Sequence, residues 1–180
     1  TFIEEYIMKA SCSTVKGYLA QYEFFEHITD FQDDFKIPDL CSSSVVAVNI
    51  WMGPKETRTP FHFDRQHNLL CQIVGKKILL LVDPKFGNIL QPDTEAKETN
   101  LSGKNTTSLH FAIDISKFLE GSFNSITEVF KADSHTKQEL QKIEIDYVLL
   151  KEGETLYIPP GYWHHVESVE TSISLSFWWE

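Results

Sequence analysis

The sequence predicts a mostly β fold: a double-sheet barrel of the jelly-roll kind, with helices packed outside it. Three observations carry that expectation. From Val45 onward the chain breaks into short runs rich in β-branched and aromatic residues, separated by glycine and proline turns. The residues before Val45 instead place apolar side chains at helical spacing. Residues 171–177 alternate polar and apolar, the pattern of a half-buried strand. Chains of this kind close into barrels or two-sheet sandwiches, whose mouths can hold a metal and a small molecule.

Taken in order, Ile3, Ile7 and Met8 fall on one helical face, and Phe24, Phe25 and Ile28 suggest a second short helix. Lys36-Ile37-Pro38-Asp39 is a break. Residues 1–44 thus read as a helical flank and 45–180 as the barrel. A β-branched run at 45–51 ends at Gly53-Pro54, and 59–64 is a short strand. Residues 69–74 and 77–82 read as a hairpin turning at Gly75-Lys76, since glycine readily supplies the unusual turn dihedral. Asp83-Pro84 stops it. Residues 100–108 are polar and loop-like, and 116–141 can carry one or two helices, with Ser134 capping the second. We treat 100–146 as an insert. Strand character returns at 143–150, and after a turn at Glu152-Gly153-Glu154 the closing strands are 156–159, 163–166 and 172–178.

A chain of 180 residues fits one domain. At that size roughly 70% of the unfolded surface can be buried, so disulfide staples are not needed. Cys12, Cys41 and Cys71 are odd in number and widely spaced, which argues against a cysteine zinc site and for reduced thiols. The net charge of -10 opposes non-specific binding to nucleic acid and suits a basic partner, such as a histone tail or a ribosomal protein. No apolar run approaches the roughly 18 residues of a membrane span. The chain opens with neither a signal peptide nor an initiator Met, so it is expected to be intracellular, in nucleus or cytoplasm, and one domain of something longer.

The chemistry concentrates in three places. In His62-Phe63-Asp64, strand alternation puts the imidazole and the carboxylate on one face. A third ligand from a distant strand would complete a two-histidine, one-carboxylate triad, the arrangement that leaves open positions on iron(II). Alone, such a pair is more often a hydrogen-bonded surface feature. The second place is Ile158-Pro159-Pro160-Gly161-Tyr162-Trp163-His164-His165-Val166, a proline-stiffened turn with aromatics that can exclude water from a metal. Spacing leaves open which histidine turns inward. The third is Lys77, either a solvated lysine like Lys76 or a buried cation that needs an anionic ligand.

Together these stretches resemble the JmjC family of iron(II)- and 2-oxoglutarate-dependent oxygenases. Residues 59–77 are similar to its first metal motif with the strands that follow, 153–164 to its second, and 172–179 to its closing strand. Gly17-Tyr18-Leu19-Ala20-Gln21, Ile37-Pro38-Asp39-Leu40-Cys41-Ser42 and Asn49-Ile50-Trp51-Met52-Gly53-Pro54 resemble the subgroup of small JmjC hydroxylases. The resemblance implies a cupin-like double-stranded β-helix, with His62, Asp64 and His164 as the catalytic metal ligands. It implies that Lys77, Tyr18 and Thr59 hold the distal carboxylate of 2-oxoglutarate. Thr59 stands where the subgroup has serine, and either hydroxyl can donate. Asn68 and Trp51 would line the cosubstrate pocket, with Trp178 at its wall. Residues 100–146 depart most from the family, being longer and more helical on the side that shapes the substrate groove.

The implied cofactors are iron(II), 2-oxoglutarate and dioxygen, and the implied reaction is hydroxylation of a protein side chain, arginine first. N-methyl-lysine demethylation is second, because bulky Trp51, Trp178 and Trp179 suggest a tight pocket. A tRNA hydroxylase is opposed by the acidic balance and by having only two arginines, Arg58 and Arg65. A binding module without turnover is opposed by the complete triad and Lys77.

Overall fold

The computed structural model describes residues 2–8, 17–41, 44–90, 107 and 109–180. Along it run strands β1 (Leu19–Tyr22), β2 (Val45–Gly53), β3 (Arg58–Phe63), β4 (His67–Val74), β5 (Lys77–Val82), β6 (Ala112–Ile113), β7 (Phe130–Lys131), β8 (Asp146–Leu150), β9 (Thr155–Ile158), β10 (Trp163–Ser168) and β11 (Ser172–Trp179). One antiparallel sheet has the order β1-β2-β11-β4-β9 and a second β3-β10-β5-β8, while β6 and β7 form a small ribbon. The two large sheets face each other across Trp51, Leu70 and Ile158 from one and Leu79, Leu150 and Val166 from the other. This is the expected jelly-roll barrel. Among the described residues, no helix is long and apolar enough to cross a membrane.

The expected hairpin at Gly75 is a corner instead. β4 pairs with β11 and β9, whereas β5 pairs with β10 and β8, so the two strands lie in opposite sheets. Gly75 has φ of 73°, and a Cβ there would collide with the Thr171 carbonyl oxygen. Glycine thus lets one corner pass close to another. A short glycine turn between apolar runs has the same local signature whether the strands fold back or change sheets; the long-range partners decide.

β11 corrects a second expectation, since both of its faces are buried. Ser172, Ser174 and Ser176 are fully buried on the barrel side. There Ser174 Oγ donates to Gln72 Oε1 at 2.7 Å, and Ser176 Oγ accepts from Trp51 Nε1 at 2.9 Å. Buried hydroxyls of this kind persist because they are paired. Leu175 and Phe177 point the other way, into a core closed by Phe25, Phe35 and Cys41 of the N-terminal flank.

That flank is less helical than its spacing suggests. It contains a π-type turn at Ile3–Met8, the strand β1, a one-turn helix α1 (Phe24–His27) and a 3-10 segment at Thr29–Asp34. β1 pairs with β2 through Leu19 opposite Met52 and Tyr22 opposite Ile50. Four residues are too few for a period of two to stand out from a helical one.

The described part of the insert carries helices α2 (Ile115–Glu120) and α3 (Ser134–Leu140) around the β6–β7 ribbon. Asp133, not Ser134, caps α3, its Oδ1 accepting the Thr136 N–H at 2.7 Å. Phe111, Phe118, Val129, Phe130 and Leu140 cover Phe61, Ile78, Leu80 and Trp163 on the outer face of the four-stranded sheet. Cys41 and Cys71 are free thiols. Cys12 and the polar stretch 100–108, apart from Thr107, lie outside the described residues.

Candidate metal centre

β3 and β10 run side by side, with His62 opposite His164 and Thr59 opposite Val166. Two residues of β3, Pro60 and Phe61, therefore face one residue of β10, His165. This bulge matters for the site. In a regular strand Thr59 and His62, three apart, would project to opposite faces. The extra residue brings Thr59, His62 and Asp64 into one cavity, together with His164, Val166, Lys77, Tyr18, Trp51, Asn68, Leu70 and Ile158.

The ligand atoms of His62, Asp64 and His164 all lie within 4.8 Å of one another. His62 Nδ1–H donates to the Pro60 carbonyl at 2.9 Å and His164 Nδ1–H to the Tyr162 carbonyl at 3.0 Å. Both rings are thereby held in the tautomer that leaves Nε2 with its lone pair. Asp64 Oδ2 is buried without a hydrogen-bond partner among the described residues and lies 3.6 Å from His164 Nε2, beyond hydrogen-bond reach. Burial raises the Asp64 pKa, with His62 acting in the opposite sense. Burial, and then the neighbouring His62 imidazole, hold His164 well below its ordinary value, so it stays neutral. Two imidazoles that each aim Nε2 into the cavity and an orphaned carboxylate form a donor set that fits a divalent cation with open coordination positions. His165 turns to the other face, where it stacks on Phe111 at 4.6 Å and lies 3.4 Å from Glu167.

Lys77, the first residue of β5, is 1% exposed. Its ammonium lies 5.9 Å from the centre of the Tyr18 ring, and among the described residues no carboxylate pairs with it. Burial lowers its pKa to about 7 and raises that of Tyr18 to about 12, a Thr59 hydrogen bond opposing the Tyr18 shift. The Tyr18 ring fits because position 53 is glycine, where a Cβ would stand 2.8 Å from that ring. A buried cation that shares its cavity with the Tyr18 and Thr59 hydroxyls is a receptor for an anion's far end.

Of the residues singled out from sequence, Tyr18, Trp51, Thr59, Asn68 and Lys77 share the cavity with the triad. Trp178 packs against the interior cluster without lining the cavity. Trp179 lies on the outer face, stacked on His67 at 5.1 Å, so only Trp51 of the three tryptophans crowds the pocket. The apolar walls Leu70, Ile158 and Val166 were not anticipated. Two of them carry a simple signal, lying two residues beyond Asn68 and His164 on the same strands.

A family model described as a cupin-like domain matches residues 2–180. JmjC domain-containing protein D of Dictyostelium discoideum is 36% identical over 193 residues, covering 97% of this chain and 38% of that protein. Lysine-specific demethylase JMJ30 of Arabidopsis thaliana is 34% identical over 181 residues, covering 99% and 37%. Lysine-specific demethylase 8 of Danio rerio is 31% identical over 183 residues, covering 99% and 39%. The chain spans less than two fifths of the length of each of these relatives.

Proposed function

Because the chain belongs to the cupin-like JmjC family, we propose that it is an iron(II)- and 2-oxoglutarate-dependent oxygenase that hydroxylates a protein side chain, arginine first. The observation that carries this reading is that one cavity holds both the His62, Asp64 and His164 cluster and the unpaired, buried Lys77. A metal site alone does not require Lys77. A dicarboxylate that binds metal at one end and a cation at the other accounts for both.

His62 and His164 supply Nε2 lone pairs to the metal, and Asp64 supplies the negative charge. Iron(II) with 2-oxoglutarate and dioxygen supplies the oxidation of a substrate C–H bond, the cosubstrate leaving as succinate and carbon dioxide. Lys77 pairs with the distal carboxylate, and Tyr18 and Thr59 add hydroxyl hydrogen bonds to it. Trp51, Leu70, Ile158 and Val166 wall the space between, and keep water from the reacting atoms. Held by Lys77 at one end and by the metal at the triad at the other, the cosubstrate would be restrained in one orientation.

The choice of arginine rests on the resemblance of residues 17–21, 37–42 and 49–54 to the small hydroxylases. The second reading, N-methyl-lysine demethylation, is favoured by the names of two relatives, both lysine-specific demethylases. The test is 2-oxoglutarate turnover to succinate with iron(II), dioxygen and ascorbate, run beside His62→Ala and Lys77→Ala. Iron-dependent turnover lost in both variants is expected. An arginine peptide gaining the mass of one oxygen supports hydroxylation, whereas a methyl-lysine peptide losing a methylene supports demethylation. Absence of both turnover and 2-oxoglutarate binding would sink the oxygenase reading.

A further inference from the structure

A second concave surface lies outside the metal cavity, along the free edge of the five-stranded sheet. β1 covers β2 only between Ile50 and Met52. Along the same edge, Val45, Val46, Ala47, Val48 and Asn49 have no strand partner among the described residues. Four of them, Val45 to Val48, line one wall of a groove of about 510 Å³ whose other wall is Phe25, Glu26, Phe35 and Ile37. Because consecutive residues contribute, it is the strand's edge that faces the groove, with its backbone groups, and not merely one side-chain face. Val46 is 51% and Ile37 43% exposed. Ala47 is in register with Trp178, and Trp178 with Asn68, so the groove sits at the end of the barrel that carries the metal cavity.

The flank that supplies the second wall is acidic, and one of its carboxylates, Glu26, lines the groove itself. Glu23, Glu26, Asp30, Asp33 and Asp34 are exposed on the flank, and Lys36 is the one lysine or arginine between residues 17 and 41. A second copy of the chain would bring the same acidic flank against this one, which opposes edge-to-edge self-pairing. We propose that this groove docks an extended, basic polypeptide segment that adds a strand to β2, its backbone pairing with Val45 to Val48, its apolar side chains filling the groove and its cations meeting the carboxylates of the flank. Strand addition of this kind takes affinity from main-chain hydrogen bonds and specificity from the flanking pockets and charges. The inference does not depend on the oxygenase reading, since no residue of the metal cavity takes part.

The probe is a short fluorescein-labelled peptide alternating lysine with valine and threonine, its binding read by fluorescence anisotropy. Its controls are the glutamate version and a version with N-methylated alternate amides. Expected is binding of the lysine peptide that weakens with added salt and is lost on N-methylation. Glu26→Lys and Val46→Asp, both at exposed positions, test the two walls. Glu26→Lys is expected to weaken binding by about tenfold, and Val46→Asp to weaken it by replacing an apolar contact. Asp64→Ala is expected to bind the peptide as the unaltered chain does. Equal binding of the glutamate or N-methylated peptide, no binding of the lysine peptide, or self-association that buries the groove in its place would each overturn the proposal. Circular dichroism confirms that each variant is folded.

Discussion

His62 and His164 each spend one ring nitrogen on a carbonyl two residues back, so each presents its other nitrogen to the same point as the unpaired Asp64 oxygen. Asp64→Asn keeps the shape and removes the charge. We expect it to weaken divalent metal binding by at least about a hundredfold, read by titration calorimetry with manganese(II). Lys77 is costly to the protein without a ligand, because its charge is buried with no carboxylate beside it among the described residues. Lys77→Met is therefore expected to stabilise the ligand-free chain by roughly 1–3 kcal/mol while abolishing 2-oxoglutarate binding. Its pH dependence follows from the direction of the shift. Lys77 titrates at about 7 when folded and at 10.5 ordinarily, so between those values the unfolded chain binds more protons and stability rises with pH. The advantage of Lys77→Met in denaturant melts should be full below about pH 7 and shrink steadily towards pH 10. An advantage that grows with pH would contradict the buried, unpaired ammonium.

At the scale of single elements, one bulge and one corner do most of the positioning. The β3 bulge across from His165 puts Thr59 beside His62, and the Gly75 corner carries the chain from β4 to β5 and so delivers Lys77 to the cavity. Gly75→Ala places a side chain at positive φ and against the Thr171 carbonyl. We expect a loss of at least about 2 kcal/mol in urea unfolding, and a weaker hold on 2-oxoglutarate through displaced Lys77. At the start of α3, Asp133→Ala removes the cap to Thr136 and should cost about 1 kcal/mol, with Ser134→Ala near neutral. The reverse ranking would restore Ser134 as the cap.

The whole molecule is four layers deep: flank, five-stranded sheet, four-stranded sheet and insert. The space between the sheets is mixed, with Trp51, Leu70, Leu79 and Val166 beside the polar residues of the cavity, and two further apolar cores on the outer faces of the sheets support it. Phe35 is the hinge pin of the flank, its ring 4.4 Å from Phe25 and 5.9 Å from Phe177 of β11. Phe35→Ala is expected to lower stability by roughly 2 kcal/mol, less than a fully buried phenylalanine because Phe35 is half-buried. Hydrogen exchange should show the added opening in β2 and β11 before β5 and β10. The two sheets have separate outer cores, so uniform loosening of both would argue against this layering.

The sequence by itself determined the barrel, most of its strands and the residues that can bind metal. Those features rest on short-range regularities: β-branched runs, turn residues, and an alternation that sends His62 and Asp64 to one side. The tertiary structure decided which sheet each strand joined, and hence that Gly75 is a corner and not a hairpin turn. It also decided that the polar face of β11 looks inward, because the flank and the barrel bury that strand from both sides. Spacing left His164 and His165 open and the family resemblance named His164; the β10 register sets it opposite His62, and Lys77 became a buried cation only when β5 entered the second sheet opposite Trp51 and Tyr18. In each case the deciding contacts join residues far apart in the chain, where local propensity and periodicity carry no information about pairing.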